Sequence, residues 1–238
     1  MPCAGHSGGS MSNAMEVSLG RARLTAMEAR TQVWREAVLP GIGVTAAIAT
    51  AGRVIMGPLH GFPQEDALNI ALAERRTPLE NRVTWAVSTY SDVVPTIVAS
   101  LVYGAVAWRR TGDWREGVAP HASIALETAV FMSAAAVTGR PRPDVAWLDR
   151  PAPTSSFPSG HTAATTAMHT TIGGILLRAG HPSAPLVTPF LRWVWPPLVA
   201  YSRLYRGMHH PSDVLVGLAL GQWSAYAVRR ALGLDSPA

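Results

Sequence analysis

Pro158-Ser159-Gly160-His161 stands immediately before one hydrophobic run, and Ser202-Arg203, His209 and Asp213 follow the next. A glycine lets backbone N–H groups approach an anion closely, and a helix opening just after it adds free N–H groups and a favourable dipole. Ser159 adds a hydroxyl donor, although Ser is also an ordinary helix cap. His161 titrates near neutral pH and so can give or take a proton. His209 and Asp213 are four residues apart, which puts them on one face of a helix start. A carboxylate so placed can hold the ring N–H, fix the tautomer and leave the other nitrogen free to attack. The alternative is a helix-capping Asp beside an interfacial His, and Pro211 suits a first helical turn either way. Arg203 precedes His209 by six residues, and Arg140 and Arg142 lie in Thr138-Gly139-Arg140-Pro141-Arg142-Pro143-Asp144. Guanidinium groups grip phosphate in a two-pronged fashion. Taken singly, each arginine reads as a solvated or snorkelling residue; taken together, these side chains suit phosphoester chemistry.

The elements that carry them read as membrane helices. Of 238 residues, 48% are hydrophobic and only 15% charged, where a soluble domain has roughly a quarter charged. The formal charge is +5 and all 20 basic residues are arginine. They sit between apolar runs and not in one patch with interleaved aromatics, which favours anionic lipid over nucleic acid as a partner. Cys3 has no second cysteine to pair with. Residues 1–36 read as a disordered head followed by a helical, basic approach to a membrane, without the apolar core of a signal peptide. Residues 37–57 suit one span, with Arg53 near its end. Residues 64–76 alternate apolar and charged side chains as a short amphipathic helix lying in the interface would. A second span is expected over 83–108, with Asp92 and Pro95 marking a protein-facing kink, and a third over 118–137. Glu127 interrupts that third run and reads as the partner of a buried arginine, a catalytic role being the lesser reading. Three further runs, 162–177, 189–201 and 214–228, bring the expectation to six spans, with the membrane domain over 37–232 and a short tail over 233–238. Six spans put both termini on one side, with Arg109, Arg110, Arg115, Arg178, Arg229 and Arg230, and the positive-inside rule makes that side cytoplasmic. The loop at 139–158 and the turn at 202–213 then meet on the outer side. His121, His169, His181 and His210 are read as structural, His169 as a hydrogen-bonded core residue.

In order and spacing these blocks resemble the type 2 phosphatidic acid phosphatase (PAP2) superfamily, the membrane lipid phosphate phosphatases. That family shows Lys-x6-Arg-Pro, Pro-Ser-Gly-His and Ser-Arg-x5-His-x3-Asp. The second block is complete at Pro158 to His161 and the third at Ser202, Arg203, His209 and Asp213. The first is partial: Arg142-Pro143 is present, but the lysine position falls on Ala135, and the register that uses Arg140-Pro141 moves it to Ser133. The resemblance implies an all-α bundle of six transmembrane helices and a phosphatase that needs no metal or other cofactor. Its substrate would be a lipid phosphate or diphosphate such as phosphatidic acid, phosphatidylglycerol phosphate, polyprenyl diphosphate or a polyprenyl-linked sugar phosphate. It also implies that His209 attacks phosphorus and forms a phosphohistidine, that Asp213 orients it, and that His161 protonates the leaving alcohol. Arg142, Arg203, Ser159 and Gly160 would cradle the phosphate oxygens, with Arg140 as a further candidate. Membrane lipids are the only other partners implied, with no obligatory protein partner. A lipid phosphotransferase, a non-catalytic lipid-binding relative and, less well, a vanadate-dependent haloperoxidase share parts of this pattern.

Overall fold

The structure, a computed structural model, describes residues 25–235. Expectations about residues 1–24, Cys3 among them, and about 236–238 lie outside the described residues. The described chain is helical with no strand. Its helices are α1 (Thr25–Met56), α2 (Pro63–Glu74), α3 (Pro78–Tyr90), α4 (Val93–Thr111), α5 (Trp114–Thr138), α6 (Gly160–Arg178), α7 (Ala184–Pro189), α8 (Trp195–Tyr205) and α9 (Pro211–Ala231). No change of structure marks residue 37, because α1 runs through it from Thr25, with a π-helical turn over Trp34–Val38. The amphipathic stretch forms α2 as expected.

Local chemistry sets these boundaries. Thr77 caps α3 by accepting from the Glu80 N–H at 3.2 Å, with Pro78 in the first turn, where its missing N–H costs nothing. The run expected as one span over 83–108 is broken at Ser91-Asp92 and bent by 58°. Asp92 accepts from the Val93 N–H at 2.8 Å and so starts α4 afresh. Asp113 caps α5 in the same way, accepting from the Arg115 N–H at 3.0 Å. Gly139, at φ 65°, ends α5 in a left-handed conformation that side-chain-bearing residues avoid.

The helices are joined into a bundle with two distinct ends. At one end Leu148 N–H donates to Arg206 O at 3.1 Å and Ser159 N–H to Asp213 O at 3.0 Å. These bonds bring the loop after α5 against the turn after α8. At the other end Arg178 pairs with Glu116 at 2.9 Å, Arg115 with Asp113 at 2.8 Å and Arg230 with Glu36 at 2.6 Å. Helix α6 lies at the centre, its Thr162, Thr165, Thr166, Thr170 and Thr171 all buried. The outer surface is the apolar one: Ile42, Val94, Ile97, Val98, Leu101, Val102, Val137 and Leu215 are exposed.

The six expected spans are met only in part. Among the described helices α1 and α5 are long and apolar enough to cross a membrane, and the bent α3–α4 pair brings the number to three. Helices α6 and α9 have 19 and 21 residues, but most of their surface is packed against other helices, and their threonines, serines and glycines dilute the apolar signal. The run at 189–201 is divided between α7, a π-helical turn over Phe190–Val194 and α8.

Helices α6 and α9 approach so closely that glycine is required between them. A Cβ on Gly217 would stand 2.7 Å from Ser159 O, and one on Gly221 would collide with Ala163 O and the Thr166 side chain. Gly43, on the outer face of α1, has nothing within 4 Å. Gly221→Ala should therefore destabilise the protein by about 1–3 kcal/mol through overpacking. Gly43→Ala should leave stability unchanged or raise it by up to about 1 kcal/mol through helix propensity. Thermal melts of the two variants in detergent check this contrast, and equal midpoints would contradict it.

Candidate active site

The loop over 140–158 is folded onto the turn over 206–210. Ser156 N–H donates to Arg140 O at 2.9 Å, and the Ser156 hydroxyl to Pro141 O at 2.8 Å. Gly207, at φ 74°, lets the turn pass under this loop, since a Cβ there would stand 2.8 Å from Val145 and 3.0 Å from Ala146 O. The two segments, the α3–α4 break, α5 and the start of α6 enclose a cavity of about 750 Å³. Arg142, Gly160, His161, Arg203 and His209 all line it. Five of the residues singled out in the sequence thus share one space.

His209 Nδ1 lies 2.8 Å from Ser156 O. A carbonyl only accepts, so Nδ1 carries the hydrogen and Nε2 keeps its lone pair. Asp213 Oδ2 is 3.6 Å from Nδ1, a charge contact longer than a hydrogen bond. The Ser156 carbonyl therefore fixes the tautomer that Asp213 was expected to fix. Burial pushes the His209 ring down to about 4, against the raising effect of the Asp213 charge, so the ring is neutral at pH 7. Asp213 has no exposed surface. Its carboxylate accepts from the His210 N–H at 2.8 Å and from Arg140 Nη1 at 2.6 Å. It is thus the capping carboxylate of α9 and the counter-charge of Arg140, with the neutral His209 ring beside it at 3.6 Å. His210 points away from the cavity, with Nδ1 at 3.3 Å from Asp213 and Nε2 at 3.4 Å from Asp66. His169 is the expected core residue, its Nδ1 donating to Thr165 O at 2.8 Å.

Two of the expected phosphate contacts are placed otherwise. Arg140 does not line the cavity: its guanidinium donates to Asp213, to Ser212 Oγ at 2.7 Å and to Glu65 Oε2 at 2.7 Å. Its charge is already matched by two carboxylates. Ser159 is fully buried behind the wall, its hydroxyl paired with Thr162 Oγ1 at 3.0 Å. What reaches the cavity from this motif is His161 and Gly160, the latter against the Phe131 ring, 3.1 Å from where a Cβ would stand. Ala135, at the position of the missing lysine, is 4% exposed and is not part of the wall.

The cavity's cations are held by partners that the sequence did not reveal. Arg203 Nη1 donates to Ser88 Oγ and, at 2.7 Å, to Asp149 Oδ2. Asp149 Oδ1 pairs with Arg206 Nη2 at 2.7 Å. Burial by itself would raise the Asp149 carboxyl, but the Arg206 hydrogen bond and the Arg203 and Arg206 charges hold it below its ordinary value. Arg142 Nη1 donates to Met208 O at 2.7 Å. His161 Nε2 is 3.5 Å from Asp92 Oδ1, so the break between α3 and α4 places a carboxylate beside it. Among the described residues Glu127 has no arginine partner: Oε2 accepts from Thr128 Oγ1 at 3.2 Å and Oε1 is buried without a bond. Asp149, Arg206, Ser88 and Glu65 come from four separate segments, and no spacing rule joins them. Among the described residues no three His, Cys, Asp or Glu side chains gather as a metal-ligand set. The arrangement can bind an oxyanion between Arg142, Arg203 and the first N–H groups of α6. It also sets two imidazoles beside that space, one of them neutral with the Nε2 lone pair free.

Comparison with known proteins agrees with this chemistry. Residues 117–234, from α5 through α9, match the PAP2 superfamily. The undecaprenyl-diphosphatase of Sulfolobus acidocaldarius is 34% identical over 87 residues, 34% of this chain and 35% of that protein. The chain thus spans about a third of the length of that curated relative. The crystal structure of a transmembrane PAP2-type phosphatidylglycerolphosphate phosphatase from Bacillus subtilis superposes with a TM-score of 0.68 at 22% identity. That match covers 80% of this chain and 93% of the other, a likeness that shows the fold. The matched region contains every cavity-lining residue of the two complete motif blocks, and the chain belongs to the PAP2 superfamily.

Proposed function

We propose that this chain is an integral membrane phosphatase that hydrolyses a lipid phosphate or diphosphate through a phosphohistidine on His209. The observation that carries the reading is the locked tautomer of His209. A buried, neutral imidazole with Nδ1–H bound to Ser156 O opens onto the same cavity as Arg142, Arg203 and His161. The phosphoryl oxygens bind the guanidinium groups and the N–H groups at the start of α6. His209 Nε2 attacks phosphorus as the ester bond breaks, and protonated His161 gives its proton to the departing alcohol oxygen. Neutral His161 then takes a proton from water, whose oxygen attacks the phosphohistidine, releasing phosphate and restoring His209. Cations aimed at the charge that develops supply the largest part of such catalysis. No step calls on a metal.

The named relatives act on an undecaprenyl diphosphate and on a phosphatidylglycerol phosphate, which supports a lipid-borne phosphate as the substrate class here. In the membrane, the bundle would cross six times: α1, α3–α4, α5, α6, α7–α8 and α9. Lipid-facing helices can supply apolar surface while α6 and α9 remain protein-facing. Arginines at the end away from the cavity favour a cytoplasmic location for that end, which would put the active site on the outer face, with α2 in the interface beside it.

Three outcomes test the proposal. Rapid quenching of the purified enzyme with labelled lipid phosphate should trap an acid-labile phosphate on His209, and turnover should survive EDTA. A label on another residue, or an absolute need for Mg²⁺, would contradict the mechanism. Arg203→Lys should lower kcat/KM by about a hundredfold, because an ammonium cannot reproduce the guanidinium fork; near-normal turnover would remove Arg203 from the phosphate site. In a Cys3→Ser background, Ala146→Cys should label from outside intact cells and Arg110→Cys only after permeabilisation. Labelling of both from one side would overturn the orientation.

A further inference from the structure

The far wall of the cavity carries polar groups that the proposed mechanism leaves unused. Among the described residues, three cavity-lining side chains hold a buried polar atom with no partner: Arg203 Nε, Glu127 Oε1 and Thr96 Oγ1. The first belongs to the phosphate end. The other two lie on α5 and α4, and Glu127 and Thr96 are only 1% and 2% exposed.

Their depth follows from the packing of α4 and α5 and from the contacts at the start of α6. Gly104 of α4 lies against Gly117 of α5, and the two helices run antiparallel. Eight residues from that contact in each direction, Thr96 reaches the level of residue 125, beside Glu127. Phe131 touches Gly160 at the start of α6, and Glu127 is one helical turn, about 6 Å, further from the catalytic end. Asp92 touches His161, and Thr96 is one turn further on in the same sense. Both orphan atoms therefore share a level one turn beyond the phosphate end, towards the middle of the bundle, where the alcohol part of a lipid held at that end would lie.

A carboxylate within a membrane-spanning helix is costly unless it has a use, and a buried acceptor without a donor is costly as well. Resting on the phosphatase reading, we infer that Glu127 and Thr96 form a recess that accepts a hydrogen-bond donor on the substrate's alcohol. The donor is a free hydroxyl or amino group on the carbon next to the ester carbon. Glu127 Oε1 accepts from it, and Thr96 Oγ1 completes the pair as donor or acceptor. The preferred substrates are lipid phosphomonoesters with such a group, for example a glycerol or sugar phosphate with its neighbouring hydroxyl free. Fully acylated glycerol phosphates and polyprenyl phosphates lack it and leave the recess unfilled. A site built to bond a hydroxyl discriminates strongly against the analogue without one.

The test compares three substrates in detergent micelles: 1-oleoyl-glycerol 3-phosphate, its 2-deoxy analogue and its 2-amino-2-deoxy analogue. The wild-type enzyme should favour the hydroxyl or the amino compound over the deoxy compound by about tenfold or more in kcat/KM, mostly through KM. Glu127→Leu should bring that ratio close to one, and Thr96→Val should reduce it. A purely structural Glu127 would change stability and leave the ratio alone. If Glu127→Leu fails to fold, the wild-type ratio and Thr96→Val still decide. Equal wild-type rates on all three would overturn the recess while leaving the phosphatase reading intact. Absence of phosphate release from any lipid phosphate would overturn that reading, and the recess with it.

Discussion

Everything at the catalytic end depends on one buried carboxylate, Asp213, and on the cation that neutralises it. Without Arg140 at 2.6 Å the Asp213 charge would lie in a medium that solvates it poorly, and removal of one partner from such a pair costs about 3–5 kcal/mol. The pair has structural reach. Asp213 starts α9 by holding the His210 N–H, and its carbonyl holds Ser159 N–H at the start of α6. Arg140 opens the loop that carries Arg142, and through Glu65 it ties α2 to the same point. Two helix starts, one loop and one peripheral helix are therefore fixed by a single charge cluster, and His209 takes its position from what they enclose.

Around that cluster polar and apolar residues share the interior. Threonines, serines, arginines and glutamates are buried beside apolar clusters such as Ile48, Val130 and Leu220, and many valines, leucines and isoleucines face outwards. Such a chain gains little by hiding apolar surface from lipid, which is as apolar as the side chains themselves. Close packing and satisfied internal hydrogen bonds must hold it together. The glycines of α9 and the small residues of α6 fit this requirement, as does the hydroxyl pair Ser123–Thr171 at 2.7 Å between α5 and α6.

The sequence made the helical class and the core of the site legible, because they rest on local patterns. His209 and Asp213 at four residues apart, Gly160-His161 before a helix, and Arg142 and Arg203 nearby all reach the cavity or its immediate support. Residues joined only by tertiary structure were not legible. Arg140 and Arg142 look alike in Arg-Pro-Arg-Pro, and only the fold sends one to Asp213 and the other to the cavity. Asp149 reads as one loop acid among several, and the role of the Ser156 carbonyl leaves no side-chain signal at all. The six expected spans are met only in part by length and apolar character, and α6 and α9 show a related reason. A hydrophobic run reports the average environment of a helix, and a helix enclosed by others need not look like one bathed in lipid. The α3–α4 break, by contrast, was written in Asp92, though it reads as a kink until the cap is seen.

On the proposed reading, Asp149 gives the phosphate site a resident competitor. Its two oxygens already occupy Arg203 and Arg206, so an arriving phosphate meets cations that are engaged and must share or displace a tethered anion. Tethering gives that carboxylate an effective concentration far above that of a free anion in solution. Occupancy of the site would then be an exchange of anions, and the same exchange in reverse would help to expel inorganic phosphate formed by the proposed reaction. A centre so rich in arginine would otherwise be inclined to retain its own product.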